Sequence, residues 1–176
     1  MGKNIVLIGF MGTGKSTVGI KLAERLKMQF IDMDREIEKL TGMSIPMLFK
    51  KHGEIRFRSE EQLMSQKLGQ RSNLVIATGG GVVLNRDNFE ALRKSGILIC
   101  LDADPKVILA RVNRKKGSRP LLKKNPGLED IEKMLNEREE YYSLADYRVD
   151  TSGKEMDKIV QEIIQLVRKP TNRRVG

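Results

Sequence analysis

The residues with the clearest chemistry lie near the start of the chain, in Gly9-Phe10-Met11-Gly12-Thr13-Gly14-Lys15-Ser16. The spacing G-x-x-x-x-G-K-[ST] suits a phosphate chain. The glycines let successive backbone N–H groups curl around an anion. The N-terminus of a following helix adds further donors and a favourable dipole. Gly12, Thr13, Gly14, Lys15, Ser16 and Thr17 are therefore predicted to hold the phosphates of a nucleotide. Lys15 is expected outside the core, reaching the β/γ oxygens, and the Ser16 hydroxyl is a ligand for Mg²⁺.

A phosphate loop of this kind needs a carboxylate for its metal. No Asn-Lys-x-Asp base-reading motif is present, so the GTPase pattern is absent. The strand at Leu74–Ala77 runs into Thr78-Gly79-Gly80-Gly81 rather than into an Asp, which removes the motor and AAA-type pattern. Asp32, at the end of the second strand, is predicted to hold Mg²⁺ through water, because strand C-termini line the ligand crevice of an open α/β sheet. Asp34 puts a second carboxylate at the same strand end. One of the pair can serve metal and the other a substrate hydroxyl; alternatively, one caps the helix that follows. Gly79, Gly80 and Gly81 offer backbone that a ligand can approach closely.

The elements that must position these groups alternate in type. Short apolar runs at Ile5–Ile8, Phe30–Asp32, Leu74–Ala77, Ile97–Leu101 and Tyr147–Val149 read as strands. Between them, apolar residues at helical spacing mark helices at Val18–Leu26, Asp34–Leu40, Glu54–Leu68, Asn85–Lys94, Lys106–Asn113, Glu129–Leu144 and Met156–Val167. Ser44 is a candidate cap for a helix carrying Ile45, Leu48 and Phe49, and His52 falls at a helix end. Asp104-Pro105 supplies a cap and a first-turn proline. Arg114–Pro126 lacks periodicity and is expected to be a mobile loop. The pattern predicts an α/β fold: a five-stranded parallel sheet with helices on both faces.

Composition narrows the chemistry. With 176 residues, the chain has the size of one domain. One Cys and one His exclude a disulfide framework and any Cys- or His-rich metal site. Catalysis must rest on carboxylates, Lys and Arg, hydroxyls and backbone amides. The net charge of +10 is concentrated. Eight basic residues and no acid lie between Pro105 and Leu128, and four more basic residues follow from Arg168. A concentrated basic loop suits a small polyanion, whereas a nucleic-acid module spreads charge along a face and interleaves aromatics. The first apolar run is too short for a signal peptide, and no stretch is long enough to span a bilayer. A cytoplasmic protein is expected, with no membrane partner.

Taken together, the motifs resemble shikimate kinase, over nearly the whole chain from Lys3 to Val167. The markers are the P-loop, Asp32-x-Asp34, Phe57-Arg58-x-x-Glu61, Thr78-Gly79-Gly80-Gly81, Arg119-Pro120-Leu121-Leu122, and Glu137-Arg138 followed by Tyr142 and Ala145-Asp146. Each is weak alone; six in one order are specific. The resemblance implies a P-loop NTPase fold of the nucleoside-monophosphate-kinase type with a mobile lid. It implies transfer of the ATP γ-phosphoryl group to the 3-hydroxyl of shikimate, a step towards chorismate and the aromatic amino acids.

By the same resemblance, Asp34 holds the reacting hydroxyl and is the base candidate, and Arg58 and Arg138 clamp the shikimate carboxylate. Gly79, Gly80 and Gly81 bind shikimate through backbone N–H groups. Arg119 swings in towards the ATP phosphates and, with Lys15 and Asp34, completes the catalytic set. Arg111 lies near the adenine. Residues 1–168 form one kinase domain, with a lid at 112–126 and a shikimate-binding region at 33–61, and 169–176 is a basic tail. ATP and shikimate are the expected partners, Mg²⁺ the metal, and a monomer the expected state, with no nucleic acid bound. Glu140 stands where the family often has Pro, so the helix is expected to run on. Thr151–Lys154 follows the last strand, where some members place an adenine-side Arg. The rivals are a gluconate or nucleoside-monophosphate kinase and a non-enzymatic ATP- or nucleic-acid-binding module.

Overall fold

The computed structural model describes residues 3–114, 122 and 125–169. Its elements run β1 Asn4–Ile8, α1 Lys15–Leu26, β2 Gln29–Asp32, α2 Met33–Thr41, α3 Ile45–Gly69, β3 Leu74–Ala77, a short 3₁₀ turn Val82–Leu84, α4 Arg86–Ser95, β4 Gly96–Asp102, α5 Pro105–Arg114, α6 Leu128–Tyr142, β5 Tyr147–Asp150 and α7 Met156–Arg168. The five strands form one parallel sheet in the order β2-β3-β1-β4-β5. The predicted fold class is borne out. Most of the segment expected as a lid at 112–126 lies outside the described residues, as do Arg119 and the tail beyond Lys169.

Alternation along β1 splits the core into two layers. Val6 and Ile8 join Ile76, Leu98, Cys100, Leu48, Phe57, Phe89 and Tyr142 on one face. Ile5 and Leu7 join Val75, Ile99, Val18, Leu22, Val160 and Ile163 on the other, under α1 and α7. Every residue of β1 is buried, as expected of a central parallel strand. Cys100 is fully buried, and burial pushes its thiol up to about 12, which fits an inert core residue.

Local chemistry sets the element ends. The Asp32 carboxylate accepts from the Arg35 amide and caps α2. Ser44 caps α3 as predicted, accepting from the Met47 amide. The two helical stretches read around His52 are one element broken at Gly53, whose φ of 78° and ψ of 177° are non-helical. A side chain at that φ is strained, so glycine permits the turn. Asp104 caps α5 through the Lys106 amide. With Glu140 in place of proline, α6 runs on to Tyr142. It ends there, short of the expected Leu144, in turns closed by Leu144 and Ala145 amides on the Tyr141 and Tyr142 carbonyls.

One buried polar side chain ties the non-functional end of the sheet together. Asn4 is completely buried, donates from Nδ2 to the Arg71 carbonyl at 2.8 Å, and accepts at Oδ1 from the Leu74 amide at 2.9 Å. It joins the start of β1 to the turn before β3. Asn4→Ala leaves a buried amide and a carbonyl without their partner and is expected to cost about 2–4 kcal/mol. Urea unfolding of the two proteins measures this; an unchanged midpoint would contradict the assignment.

Candidate active site

The C-terminal ends of β1, β2 and β3 bring the predicted residues to one edge of the sheet. β1 opens into the phosphate loop. Gly9 has a φ of 137°, and a Cβ there would stand 2.3 Å from the Leu101 carbonyl oxygen, so only glycine lets the loop leave the sheet at that point. Gly12 and Gly14 also have positive φ, of 78° and 95°. Thr13 is buried and its hydroxyl donates to the Phe10 carbonyl at 2.7 Å, closing the loop from within. Thr17 is exposed on the first turn of α1.

Lys15 departs from expectation. It is buried, not outside the core, and its ammonium donates to the carbonyls of Gly9 at 2.7 Å and Phe10 at 2.9 Å. The side chain folds back along the loop because the curled backbone turns carbonyl oxygens towards it. The charge is still held at the loop, where an anion would sit. Ser16 and Asp32 come together as predicted: the Ser16 hydroxyl donates to Asp32 Oδ2 at 2.5 Å. Two hard oxygen donors at the mouth of a phosphate loop suit Mg²⁺. Arg111, from α5, donates to the Gly12 carbonyl at 3.0 Å and stands 3.5 Å from the Thr151 hydroxyl. Thr151 itself donates to the Thr13 carbonyl at 3.0 Å, so the segment after β5 supports the phosphate loop.

The two carboxylates of Asp32-Met33-Asp34 separate by role. Asp32 caps α2 and meets Ser16. Asp34 does neither: its Oδ1 is buried and no donor among the described residues reaches it. Burial pushes the Asp34 carboxyl up to about 6, with Asp32 and Glu38 adding repulsion and Lys15 and Arg58 opposing the rise. A carboxylate raised by burial, with one buried oxygen unpartnered among the described residues, can accept from a hydroxyl.

The glycine turn meets four charged side chains, Asp34 among them. A Cβ on Gly79 would lie 2.9 Å from Asp34 Oδ1 and 3.0 Å from Glu61 Oε1. A Cβ on Gly81 would lie 2.7 Å from Arg58 Nη1, and one on Gly80 would lie 3.5 Å from Arg138 Nη1. The triplet therefore lets charged groups close on bare backbone from both sides. Arg58 pairs with Glu61 at 2.6 Å and with Glu54 at 3.1 Å. Arg138 is buried, sits 5.1 Å over the Phe10 ring and donates to the Gly80 carbonyl at 3.1 Å.

Two residues with a part in this geometry carried no assigned role in the sequence reading. Glu61 is buried; burial pushes its carboxyl up to about 7 against the pull of Arg58, with Asp34 adding to the rise. It holds the guanidinium of Arg58 against the glycine turn. Tyr142 is buried and donates to the Gly80 carbonyl at 3.2 Å. The signal for both was spacing: Glu61 lies three residues beyond Arg58 and Tyr142 four beyond Arg138, which puts each pair on one helix face.

A parallel sheet opening into a G-x-x-x-x-G-K-S loop, with a hydroxyl–carboxylate pair at its mouth, defines a P-loop NTPase fold, and the Asp34 carboxylate and the Arg58 and Arg138 guanidinium groups gather at the glycine turn beside it. Comparison with known proteins narrows this class. The shikimate kinase family model matches residues 11–168. The shikimate kinase of Pelotomaculum thermopropionicum is 52% identical over 167 residues, covering 95% of this chain and 96% of that protein. That of Caldanaerobacter subterraneus is 48% identical, over 93% and 95% respectively. Among solved structures, shikimate kinase from Acinetobacter baumannii in complex with shikimate superposes with a TM-score of 0.90 at 38% identity, covering 96% of this chain and 94% of that one. The chain belongs to the shikimate kinase family. The rival kinase and binding-module readings give way to this. Among the described residues no helix is long and apolar enough to cross a membrane.

The burial of Asp34 has a price in stability. Its folded pKa of about 6 lies above the ordinary 3.8, so between those values the folded protein keeps a proton that the unfolded chain releases. Stability contributed by this group is lost as pH rises through the window and stays lost above it. Asp34→Asn removes the charge at nearly constant shape. The variant is expected to exceed the wild type in unfolding free energy at pH 8, by on the order of 1–3 kcal/mol, and to match it near pH 4. Urea unfolding across that range checks the sign; a variant less stable at pH 8 would show that Asp34 has a stabilising partner.

Proposed function

We propose that this chain transfers the γ-phosphoryl group of ATP to the 3-hydroxyl of shikimate, giving ADP and shikimate 3-phosphate. The observation that carries this reading is Asp34: a carboxylate raised by burial to about 6, with a buried oxygen that no donor among the described residues reaches, beside a glycine turn flanked by Arg58 and Arg138. A small polyhydroxy acid asks for this set. Guanidinium forks match its carboxylate in two bonds, a carboxylate accepts from its hydroxyls, and backbone N–H groups of Gly79, Gly80 and Gly81 donate to them.

In this mechanism the 3-oxygen attacks the γ-phosphorus in line. Its O–P bond forms as the bond from phosphorus to the β,γ-bridging oxygen breaks, and the electron pair leaves on ADP. Asp34 orients the hydroxyl and takes its proton. Gly12, Thr13, Gly14, Lys15, Ser16 and Thr17 hold the phosphates, and the Lys15 ammonium exchanges loop carbonyls for phosphate oxygens as negative charge gathers there. Arg111 serves the adenine side. Arg119, outside the described residues, approaches the phosphates from a lid at 112–126. Residues 1–168 act as one kinase domain, with 33–61 as the acceptor-binding region and 169–176 as a basic tail. Ser16 would hold Mg²⁺ directly and Asp32 through water, and the ion would supply positive charge to the phosphates. All the named residues belong to one chain, in keeping with an active monomer.

An ADP-release assay offering shikimate, gluconate and CMP side by side tests the reading; turnover is expected with shikimate alone. Asp34→Asn is expected to lower kcat by at least ~10²-fold, the usual worth of a positioned base, with ATP affinity almost unchanged. In the wild type, kcat/KM for shikimate falls as pH drops below about 6, where the free enzyme holds Asp34 protonated; the variant loses that limb. Lost ATP binding instead would mean that Asp32 and Asp34 have exchanged roles. Arg58→Lys keeps the charge and loses the two-bond fork. It is expected to raise the shikimate KM strongly and leave the ATP KM in place, and the reverse pattern would overturn the site map.

A further inference from the structure

The Gly80 carbonyl is gripped twice from one helix. Arg138 and Tyr142, one turn apart on α6, donate to it at 3.1 Å and 3.2 Å. A carbonyl oxygen has two lone pairs and can take both. The two donors lie on one face of α6, so the phenol and the guanidinium share the same carbonyl oxygen. The ring is 2% exposed and packed in the core layer with Ile8, Phe10 and Ile131. Burial pushes the phenol up to about 12, so it keeps its proton and remains a donor throughout the range in which a kinase works.

The peptide between Gly80 and Gly81 is planar and trans, so its N–H points opposite to its C=O. Drawing the Gly80 carbonyl towards the Arg138 and Tyr142 donors therefore turns the Gly81 N–H away from them. Glycine has no side chain to restrain this peptide, and three in a row leave it free to flip. The two holders differ. Arg138 carries a full charge, whereas the Tyr142 phenol is neutral and fixed by its buried ring.

We propose that Tyr142 is a positioning residue of the acceptor site: its hydroxyl anchors the Gly80 carbonyl, and so keeps the Gly81 N–H aimed at the acceptor, when Arg138 turns from that carbonyl to the acceptor's carboxylate. The inference rests on the acceptor reading given above. It makes the loop a preformed donor whose geometry survives the movement of its stronger partner. Tyr142 does not touch the acceptor; it acts through Gly80.

Tyr142→Phe tests this, since it keeps the buried ring and removes only the hydroxyl. The shikimate KM is expected to rise about five- to tenfold, the worth of one net hydrogen bond. The kcat at saturating shikimate and the ATP KM are expected to stay within about twofold, because the loop binds ground and transition states alike. Equal weakening towards ATP and shikimate would mean general loosening and would overturn the proposal, as would an unchanged shikimate KM. The wild type supplies an arm that needs no variant: in ¹⁵N-labelled protein, shikimate is expected to shift the Gly81 amide strongly, and a Gly81 amide that shikimate leaves unmoved overturns the proposal. Absence of wild-type turnover with shikimate would remove the acceptor reading itself. Normal wild-type turnover with an indifferent Tyr142→Phe removes only the role of Tyr142.

Discussion

The carbonyl of Leu7 is the joint on which the active site turns. It accepts both the backbone N–H of Thr78, at 3.1 Å, and the Thr78 hydroxyl, at 3.0 Å. Leu7 lies two residues before Gly9, where the phosphate loop leaves the sheet, and Thr78 lies immediately before Gly79, where the acceptor turn begins. One oxygen therefore sets the spacing between the donor and acceptor halves. The strand register extends the constraint: Leu7 and Asp32 both pair with Ala77, so β2 delivers its carboxylates to the same edge. Group transfer depends on such spacing, because reacting atoms must meet within a few tenths of an ångström.

Around this joint the protein keeps charges in states that cost it stability. Asp34 and Glu61 are both raised by burial, to about 6 and about 7, and they face the same glycine. Arg58 answers only part of that demand, through Glu61 and Glu54. On the other side Arg138 rests on the Phe10 ring and the Gly80 carbonyl, neither of which carries a full charge. An anionic, hydroxylated ligand would satisfy both sides at once: its carboxylate for the arginines and its hydroxyls for Asp34.

The nucleotide side is arranged differently, through backbone rather than charge. Lys15 is folded onto the loop carbonyls, Thr13 closes the loop from inside, and Arg111 and Thr151 brace it from α5 and the end of β5. These contacts hold the curl of the loop, whose amides bind phosphate only while they converge.

How much of this was legible beforehand follows from the range of each interaction. The phosphate loop, the strands, the caps at Ser44 and Asp104 and the run of α6 through Glu140 depend on neighbours a few residues away, so spacing and residue type determined them. The sequence likewise marked Asp32 and Asp34 as a pair and Gly79–Gly81 as a close-approach turn, because those motifs are contiguous. It left open which aspartate caps α2; the helix begins at Met33, which makes Asp32 the cap and puts Asp34 within the first turn. It misplaced Lys15, because burial there comes from the curl of the loop over its own side chain. It assigned no part to Glu61, whose burial comes from packing, or to Tyr142, whose partner is the carbonyl of a turn 62 residues away. The strand order, the Leu7–Thr78 joint and the meeting of Arg58 and Arg138 across one glycine turn were decided only by the tertiary structure. Contacts between residues tens of positions apart depend on how helices and strands pack, and no local pattern records that.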